Sequence, residues 1–455
     1  MRAIRVAMIS LGCPKNQVEA ERMLERLDVA GHEIVPKLEQ AEVVVINTCG
    51  FITSAKEEAI SHILTAARLK AQGAIRGIVV AGCLSERYRE EVRQLLPEVD
   101  AVLGGGSCEA VCEAVEAALS GCPYERYDDI EQADMGGGRI LSTPFYTAYL
   151  KLGDGCDNHC TYCAIPLIRG RLRSRPIEEL VGEASALAEG GVRELILVAQ
   201  DTTRYGEDLY GESRLVDLLR ALEDIPGLRW IRLLYAYPDR ISDELLQHMA
   251  GSDKVLHYID LPLQHAEDDI LRAMNRKGDR AQIEDTLLRI RRALPDVCLR
   301  TTFICGFPGE TEAHFEALCR FVRRHRFDRM GCFAYSAEEG TPAASFDRQV
   351  PEDIKQRRAD SLMLQQSLIS AERGAALVGR QLCVLVEEFD ADYGGYAGRS
   401  YRDAPEIDGR VYFTSPIELE VGAFVPVDIQ SSDDYDLFGA LSEASIDAGV
   451  NVERS

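Results

Sequence analysis

Short apolar runs alternate with segments of helical periodicity along most of this chain, and that alternation restricts it to folds built on parallel sheets. In the first 135 residues the runs RVAMISLG, EVVVINTC, GIVVAGCL and VDAVLGGG are separated by stretches such as VEAERMLERLDVAG, SAKEEAISHILTAARLKAQG and SERYREEVRQLLP, whose apolar residues recur at helical spacing. Strands that alternate with helices imply βαβ units. From about residue 142 a second series begins, with TAYLKLGDG, ELILVAQDT, RWIRLLYAYP, HYIDLPLQ, VCLRTTFICGFPG and RMGCFAYS as six strand candidates, each followed by a helical pattern. This predicts a parallel barrel or partial barrel whose strand ends carry function. The helix-rich stretch PEDIKQRRADSLMLQQSLISAERGAALVG closes the series. After Gly379 the pattern changes to short alternating strands, QLCVLVEEFD, GRVYFTS and FVPVDIQ, which predicts a small all-β barrel.

The organisation expected is therefore an N-terminal parallel α/β sheet domain over 1–135, a partial (βα)6 barrel over 142–373, a small β-barrel over 376–441 and a polar tail over 442–455. The run DMGGGRI, residues 134–140, reads as a linker with nothing to pack. At 455 residues the chain is too long for one core. Nothing at the N-terminus reads as a signal peptide and no run approaches the roughly 20 apolar residues of a membrane span. A soluble, cytoplasmic protein is expected. The net charge of −24 disfavours affinity based on neutralising phosphates, so direct nucleic-acid binding is not expected.

Fourteen cysteines without a secretory signal point to metal ligation, catalysis or burial instead of a disulfide framework. GCDNHCTYC is the most informative stretch. Cys156, Cys160 and Cys163 form CxxxCxxC directly after the first strand of the second series, a spacing on a loop that can hold three corners of a 4Fe-4S cluster and leave one iron free. With the aromatic Tyr162 before the third cysteine, at the mouth of a six-stranded partial barrel, this motif resembles the radical S-adenosylmethionine superfamily. The resemblance implies that the free iron chelates the cofactor and that an electron from the cluster cleaves it to a 5′-deoxyadenosyl radical. Such chemistry suits an unactivated C–H bond, which no positioned base can deprotonate.

The first domain can then be reread. Cys13, Cys49 and Cys83 each end a strand candidate, and in a parallel sheet the carboxyl ends of strands share one edge with neighbours roughly 4.8 Å apart. Three thiols spread over the sequence thus converge in the manner of a second three-cysteine cluster. Two open clusters in one chain resemble the radical S-adenosylmethionine methylthiotransferases, and the resemblance covers nearly the whole length, with the terminal barrel matching that family's TRAM domain. It implies that Cys156, Cys160 and Cys163 hold the radical cluster, that Cys13, Cys49 and Cys83 hold an auxiliary cluster implicated in sulfur delivery, and that a second cofactor molecule gives the methyl group. A sulfur donor and an electron donor such as flavodoxin or ferredoxin would be partners.

The family divides by substrate. SLGCPKN, VAQDTTRYG, YIDLPLQHAEDDILRAMNR and RSYRDAPEIDG resemble the RimO branch, which modifies the β-carbon of an aspartate in ribosomal small-subunit protein S-twelve, giving 3-methylthioaspartate; the other branch modifies an adenosine in transfer RNA. Gln17, Glu19 and Ala20 depart from the usual opening of that branch and are expected to affect only surface or capping detail. Charge gives an independent argument. Residues 376–441 hold four arginines and no lysine against thirteen acidic residues, a net of −9, which would repel a phosphate backbone and attract a basic ribosomal protein.

Further candidates surround the cofactor. Ile304 and Gly306 in TFICGFPGE either let backbone approach the adenine or form a tight strand-to-helix turn. Gln200 and Gln264, at the ends of the second and fourth strands, either bind the cofactor or satisfy loop backbone. The superfamily's GGE after the second strand is replaced by VAQDTT, and Asp201 or Arg204 there are candidates for substrate contact. His159 and His265 are expected to be local hydrogen-bonding groups, and Cys108 and Cys112, one helical turn apart, to share one buried face.

Overall fold

A computed structural model describes residues 2–443; of the tail expected over 442–455, residues 444–455 lie outside the described residues. Met1 does as well. The first sheet is parallel and comprises β1 (Arg5–Ser10), β2 (Glu33–Ile34), β3 (Val43–Thr48), β4 (Gly77–Gly82), β5 (Ala101–Leu103) and β6 (Tyr124–Arg126), in the order β2-β1-β3-β4-β5-β6. Its central strands are runs of β-branched residues because both faces are covered. Val43, Val45, Val79 and Ala81 pack with Met23, Leu27, Val111 and Val115 on one face, while Val44, Ile46, Ile78 and Val80 pack with Ala59, Ile63 and Ala66 on the other. The four strand candidates all form, and the edge strands β2 and β6 are additions that their short, polar sequences did not announce.

Next in the chain come β7 (Thr147–Lys151), a two-residue antiparallel ribbon of β8 (Gly153–Asp154) and β9 (Arg173–Ser174), then β10 (Glu194–Val198), β11 (Trp230–Leu233), β12 (Val255–Asp260), β13 (Cys298–Cys305) and β14 (Arg329–Ala334). The second sheet has the order β14-β13-β12-β11-β10-β7, each strand beside its predecessor in the series, as in a partial barrel. Last among the described strands come β15 (Gln381–Asp390), β16 (Gly395–Ser400), β17 (Val411–Thr414), β18 (Phe424–Ser432) and β19 (Leu437–Leu441), a closed barrel of order β15-β16-β17-β19-β18 around Val384, Val386, Val411, Phe413, Val427 and Ile429. The alternating pattern marked β15, β17 and β18. It missed β16 and β19, whose glycines (GYAGRS and LFGAL) let strands approach where a Cβ on Gly398 or Gly439 would fall within 2.2–2.3 Å of a neighbouring carbonyl oxygen.

Two compact units organise these elements. The first consists of residues 1–190, 195–226 and 336–345, the second of residues 191–194, 227–335 and 346–455. In the second unit RSYRDAPEIDG is a strip of buried ion pairs. Arg399 meets Glu194 at 2.6 Å, Arg402 meets Asp328 at 2.5 Å, Arg329 meets Asp403 at 2.5 Å, and Tyr258 donates to Asp408 at 2.6 Å. Arg410 is paired with Glu388, so three of the barrel's arginines are already committed to carboxylates.

In the first unit residues 134–140 are not a loose linker. Arg22 donates to the Asp134 carbonyl at 2.8 Å, Ile140 N–H donates to the Glu21 carbonyl at 3.2 Å, and the buried Arg139 guanidinium reaches Glu21 and Glu183. The glycines reveal nothing of this strapping, because it is made by the charged residues around them.

Candidate metal centres

Cys13, Cys49 and Cys83 stand just past the carboxyl ends of β1, β3 and β4. Register brings them together, since Ser10 pairs with Asn47 and Thr48 with Gly82, which leaves Cys49 and Cys83 one step beyond the last pair. The approach depends on three glycines, each adjacent in sequence to one of the cysteines. A Cβ on Gly12 (φ +91°) would sit 2.7 Å from Cys49 Cβ, one on Gly50 would sit 2.8 Å from Leu84 Cα, and one on Gly82 (φ +95°) would sit 2.4 Å from Asn47 Oδ1. The dipeptides Gly12-Cys13, Cys49-Gly50 and Gly82-Cys83 were the signal in the sequence that could have revealed this cradle.

Asn16, from the SLGCPKN motif, fixes the same edge. Its buried amide donates to the Leu11 carbonyl at 2.7 Å and the Thr48 carbonyl at 3.3 Å, and Asn47 donates to its backbone carbonyl at 2.7 Å. Lys15 Nζ reaches the Ala199 carbonyl at 3.4 Å. A second buried anchor is Glu338, which accepts from Thr53 N–H, Lys56 and Arg87, each at 2.9 Å, while Arg87 also donates to the Gly50 carbonyl at 2.9 Å.

The loop of Cys156, Cys160 and Cys163 is closed by the β8–β9 ribbon, with Cys156 N–H donating to the Gly170 carbonyl at 3.1 Å. Gly155 (φ +72°) is indispensable here, because a Cβ would lie 1.9 Å from the Arg171 carbonyl oxygen. QDTTRYG braces this loop. Gln200 donates to Asp154 at 2.9 Å, and Asp201 caps the 202–204 turn while accepting from Asn158 at 2.8 Å. Arg204 donates to Glu207 at 2.8 Å and to Asn158 Oδ1 at 3.4 Å. Asp201 and Arg204 thus have structural partners that account for them. Tyr162 lies half-buried on the loop.

The two cysteine sets meet within this unit. Cys83 packs against Ala164 and Ile168, the first of which follows Cys163 directly. Between the sets lies a buried charge network that sequence reasoning missed. Lys151 Nζ contacts Glu19 and Asp154, both at 2.6 Å; Arg169 contacts Glu19, Asp154 at 3.2 Å, Asn16 Oδ1 at 3.1 Å and Cys83 Sγ at 3.1 Å. Glu19 is therefore a buried hub and not the surface detail expected of it, and Ala20 is buried as well. Burial alone would raise the Asp154 carboxyl, but Lys151 and Arg169 hold it well below the usual carboxylate range. Burial pushes the Cys83 thiol up to about 12 with Arg169 pulling the other way, and pushes Cys156 up to about 11 against the Asn158 N–H.

The donor set fits iron–sulfur clusters. None of the six cysteines is in a disulfide, and each triad gathers three of them on one loop or one sheet edge. Among the described residues no His, Cys, Asp or Glu trio is drawn together as around a single metal ion. A cluster asks for a wider set, because each cysteine binds a different iron. Gln200 Oε1 and, in the second unit, Gln264 Oε1 are buried acceptors with no partner among the described residues. In that unit Gln264 (φ +70°), Ile304 and Gly306 come together at one sheet end: the Gln264 carbonyl accepts from Ile304 N–H at 2.8 Å. Gly306 (φ +76°) also has a packing reason, since a Cβ would lie 2.3 Å from Lys355 Cγ. His265 Nδ1 accepts from Glu267 N–H at 3.1 Å, and Cys108 and Cys112 share one core cluster.

Comparison with known proteins agrees with this geometry. Residues 5–104 match the Uncharacterized protein family UPF0004, residues 150–322 the radical SAM superfamily and residues 378–441 the TRAM domain. The ribosomal protein uS12 methylthiotransferase RimO of Desulforamulus reducens is 48% identical over 443 residues, covering 96% of this chain and 99% of the relative. The chain belongs to the RimO family. Another RimO, from Symbiobacterium thermophilum, is 45% identical and spans 100% of this chain and 94% of its own. Among solved structures the radical S-adenosylmethionine methyltransferase TsrM from Kitasatospora setae shares the fold, with TM-score 0.56 at 14% identity over 75% of this chain and 77% of that one. No helix among the described residues of this RimO-family chain is long and apolar enough to cross a membrane.

Proposed function

We propose that this chain is a radical S-adenosylmethionine enzyme of the cytoplasm that replaces one β-hydrogen of an aspartate in ribosomal protein uS12 by a methylthio group. The observation that carries the proposal is the pairing of two cysteine triads in one compact unit, with Cys83 packed against the helix that follows Cys163. Cys156, Cys160 and Cys163 would hold the radical cluster, and Cys13, Cys49 and Cys83 the auxiliary one. When bound, an iron–sulfur cluster with an open iron supplies the electron that breaks a carbon–sulfur bond of S-adenosylmethionine, giving a carbon radical able to take hydrogen from an unactivated carbon.

The protein's part is placement. Gly155 lets the CxxxCxxC loop close on Arg171, and Asp154, fixed by Lys151, Arg169 and Gln200, holds the start of that loop. In the first unit Gln200 Oε1, an acceptor with no partner among the described residues, suits an amino or hydroxyl donor of the cofactor, with Tyr162 as a further contact; in the second unit, taken by itself, Gln264 Oε1 is an acceptor of the same kind beside Ile304 and Gly306. A sulfur donor and an electron donor of the flavodoxin or ferredoxin type complete the partners. The acidic barrel, three of whose arginines are already paired with carboxylates, favours a basic protein substrate over RNA.

Division of labour follows the sequence boundaries: residues 1–135 for the auxiliary site, 142–373 for the radical chemistry, 376–441 for substrate docking. Mass spectrometry of uS12 and transfer RNA from a strain lacking the gene tests the proposal. Loss of the methylthio mass from the uS12 aspartate is expected; its loss from transfer RNA, with uS12 unchanged, would overturn it.

A further inference from the structure

Arg169 is among the most deeply buried charged side chains of the protein, and its guanidinium is divided between two tasks. Nη1 faces the carboxylates of Glu19 and Asp154, whereas Nη2 faces Asn16 Oδ1 at 3.1 Å and Cys83 Sγ at 3.1 Å. The carboxylates do not need both halves. Lys151 already touches each of them at 2.6 Å, so two carboxylates are balanced by two cations before the thiol is counted. The Nη2 half can therefore serve the sulfur, and Asn16, itself tied to the ends of β1 and β3, fixes its aim.

We propose that Arg169 is a positioning residue that sets the reduction potential of the auxiliary cluster by donating a charge-assisted hydrogen bond to Cys83 Sγ. A donor at a ligand sulfur stabilises the more negative, reduced state, and burial away from water leaves that effect unscreened. The planar fork is essential. A lysine at 169 carries the same charge as a point and cannot serve the carboxylates and the thiolate together. Because the same guanidinium grips Asp154, beside Gly155 and Cys156, the residue also ties the auxiliary site mechanically to the loop of the radical site. This inference rests on the reading that Cys13, Cys49 and Cys83 hold a cluster, and on nothing about the identity of the substrate.

The test is potentiometric titration followed by electron paramagnetic resonance on the full chain with both clusters reconstituted, comparing wild type with R169K and R169Q. The full-length C156A/C160A/C163A variant assigns the auxiliary signal. R169K is expected to keep the wild-type iron content and to move the auxiliary midpoint to a more negative potential, further than any movement of the radical cluster's midpoint, which reads the Asp154 contact separately. Methylthio transfer should fall about ten- to a hundredfold. R169Q should move the same midpoint at least as far. An unmoved midpoint in a fully loaded R169K would overturn the proposal. So would failure of R169K to load the auxiliary cluster, locally or through misfolding, since Arg169 would then be scaffold alone. A wild-type chain without an auxiliary signal would instead sink the two-cluster reading, and a shifted midpoint in an enzyme that leaves uS12 unmodified would sink only the substrate.

Discussion

Gly82 offers a sharp test of the auxiliary cradle. At φ +95° and ψ −148° it occupies a region essentially restricted to glycine, and an added Cβ would lie 2.4 Å from Asn47 Oδ1 and 2.7 Å from the Thr48 carbonyl oxygen. The backbone conformation costs a non-glycine residue about 1–3 kcal/mol. Overpacking against β3 adds about 1–3 kcal/mol. The total for G82A, about 2–6 kcal/mol, is relieved most readily by letting residues 83–87 swing away from β3, which carries Cys83 from Asn16 and Arg169. Because about 1.4 kcal/mol is a tenfold change in an equilibrium, even the lower figure moves the cradle open by more than tenfold. G82A is therefore expected to lose iron from the auxiliary site while the radical site stays filled, to cleave S-adenosylmethionine as wild type does, and to transfer no methylthio group. Iron and sulfide analysis, 5′-deoxyadenosine formation and product mass spectrometry read these separately. Full iron content with wild-type transfer would refute the reasoning.

The same logic applied to Gly155 predicts the opposite split: G155A, with its Cβ 1.9 Å from the Arg171 carbonyl oxygen, should lose the radical cluster and cofactor cleavage while keeping the auxiliary cluster, read by the same assays. C13A should leave cofactor cleavage largely intact and abolish thiolation, so equal loss of both would argue against separate roles. In the second unit burial alone would raise the Glu194 carboxyl, but Arg399 and Arg232 push it down to about 2. Its stabilisation, about 3 kcal/mol, is fully present above the ordinary value of 4.5 and lost as pH falls toward 2. E194Q should remove a comparable amount at neutral pH and flatten acid unfolding in that window. The chain's one tryptophan, Trp230 on β11, reports it by fluorescence.

The parallel sheets were legible because their signals are local, and the same apolar runs, each with a cysteine at its end, are what made Cys13, Cys49 and Cys83 candidates. The terminal barrel was legible where strands alternate and lost where Gly398 and Gly439 replace side chains with close backbone approach. Glu19, Lys151, Asp154 and Arg169 were invisible as a group. Nothing in the separate segments of these residues marks them as partners, and only the fold that brings the helix Pro14–Val29 against the CxxxCxxC loop turns them into a buried network. Glu19 illustrates this most clearly, since departure from a familiar opening marked it as unimportant and burial makes it central. The strap at 134–140 failed for the same reason, because Arg22, Glu21 and Arg139 act across sequence distance.

Iron and sulfide counting, with Mössbauer spectra, on three full-length proteins tests the central claim that one chain holds two separate clusters. Two 4Fe-4S clusters predict about eight irons for the wild type, and about four for each of C13A/C49A/C83A and C156A/C160A/C163A. About four irons in the wild type, unchanged in C13A/C49A/C83A, would contradict it.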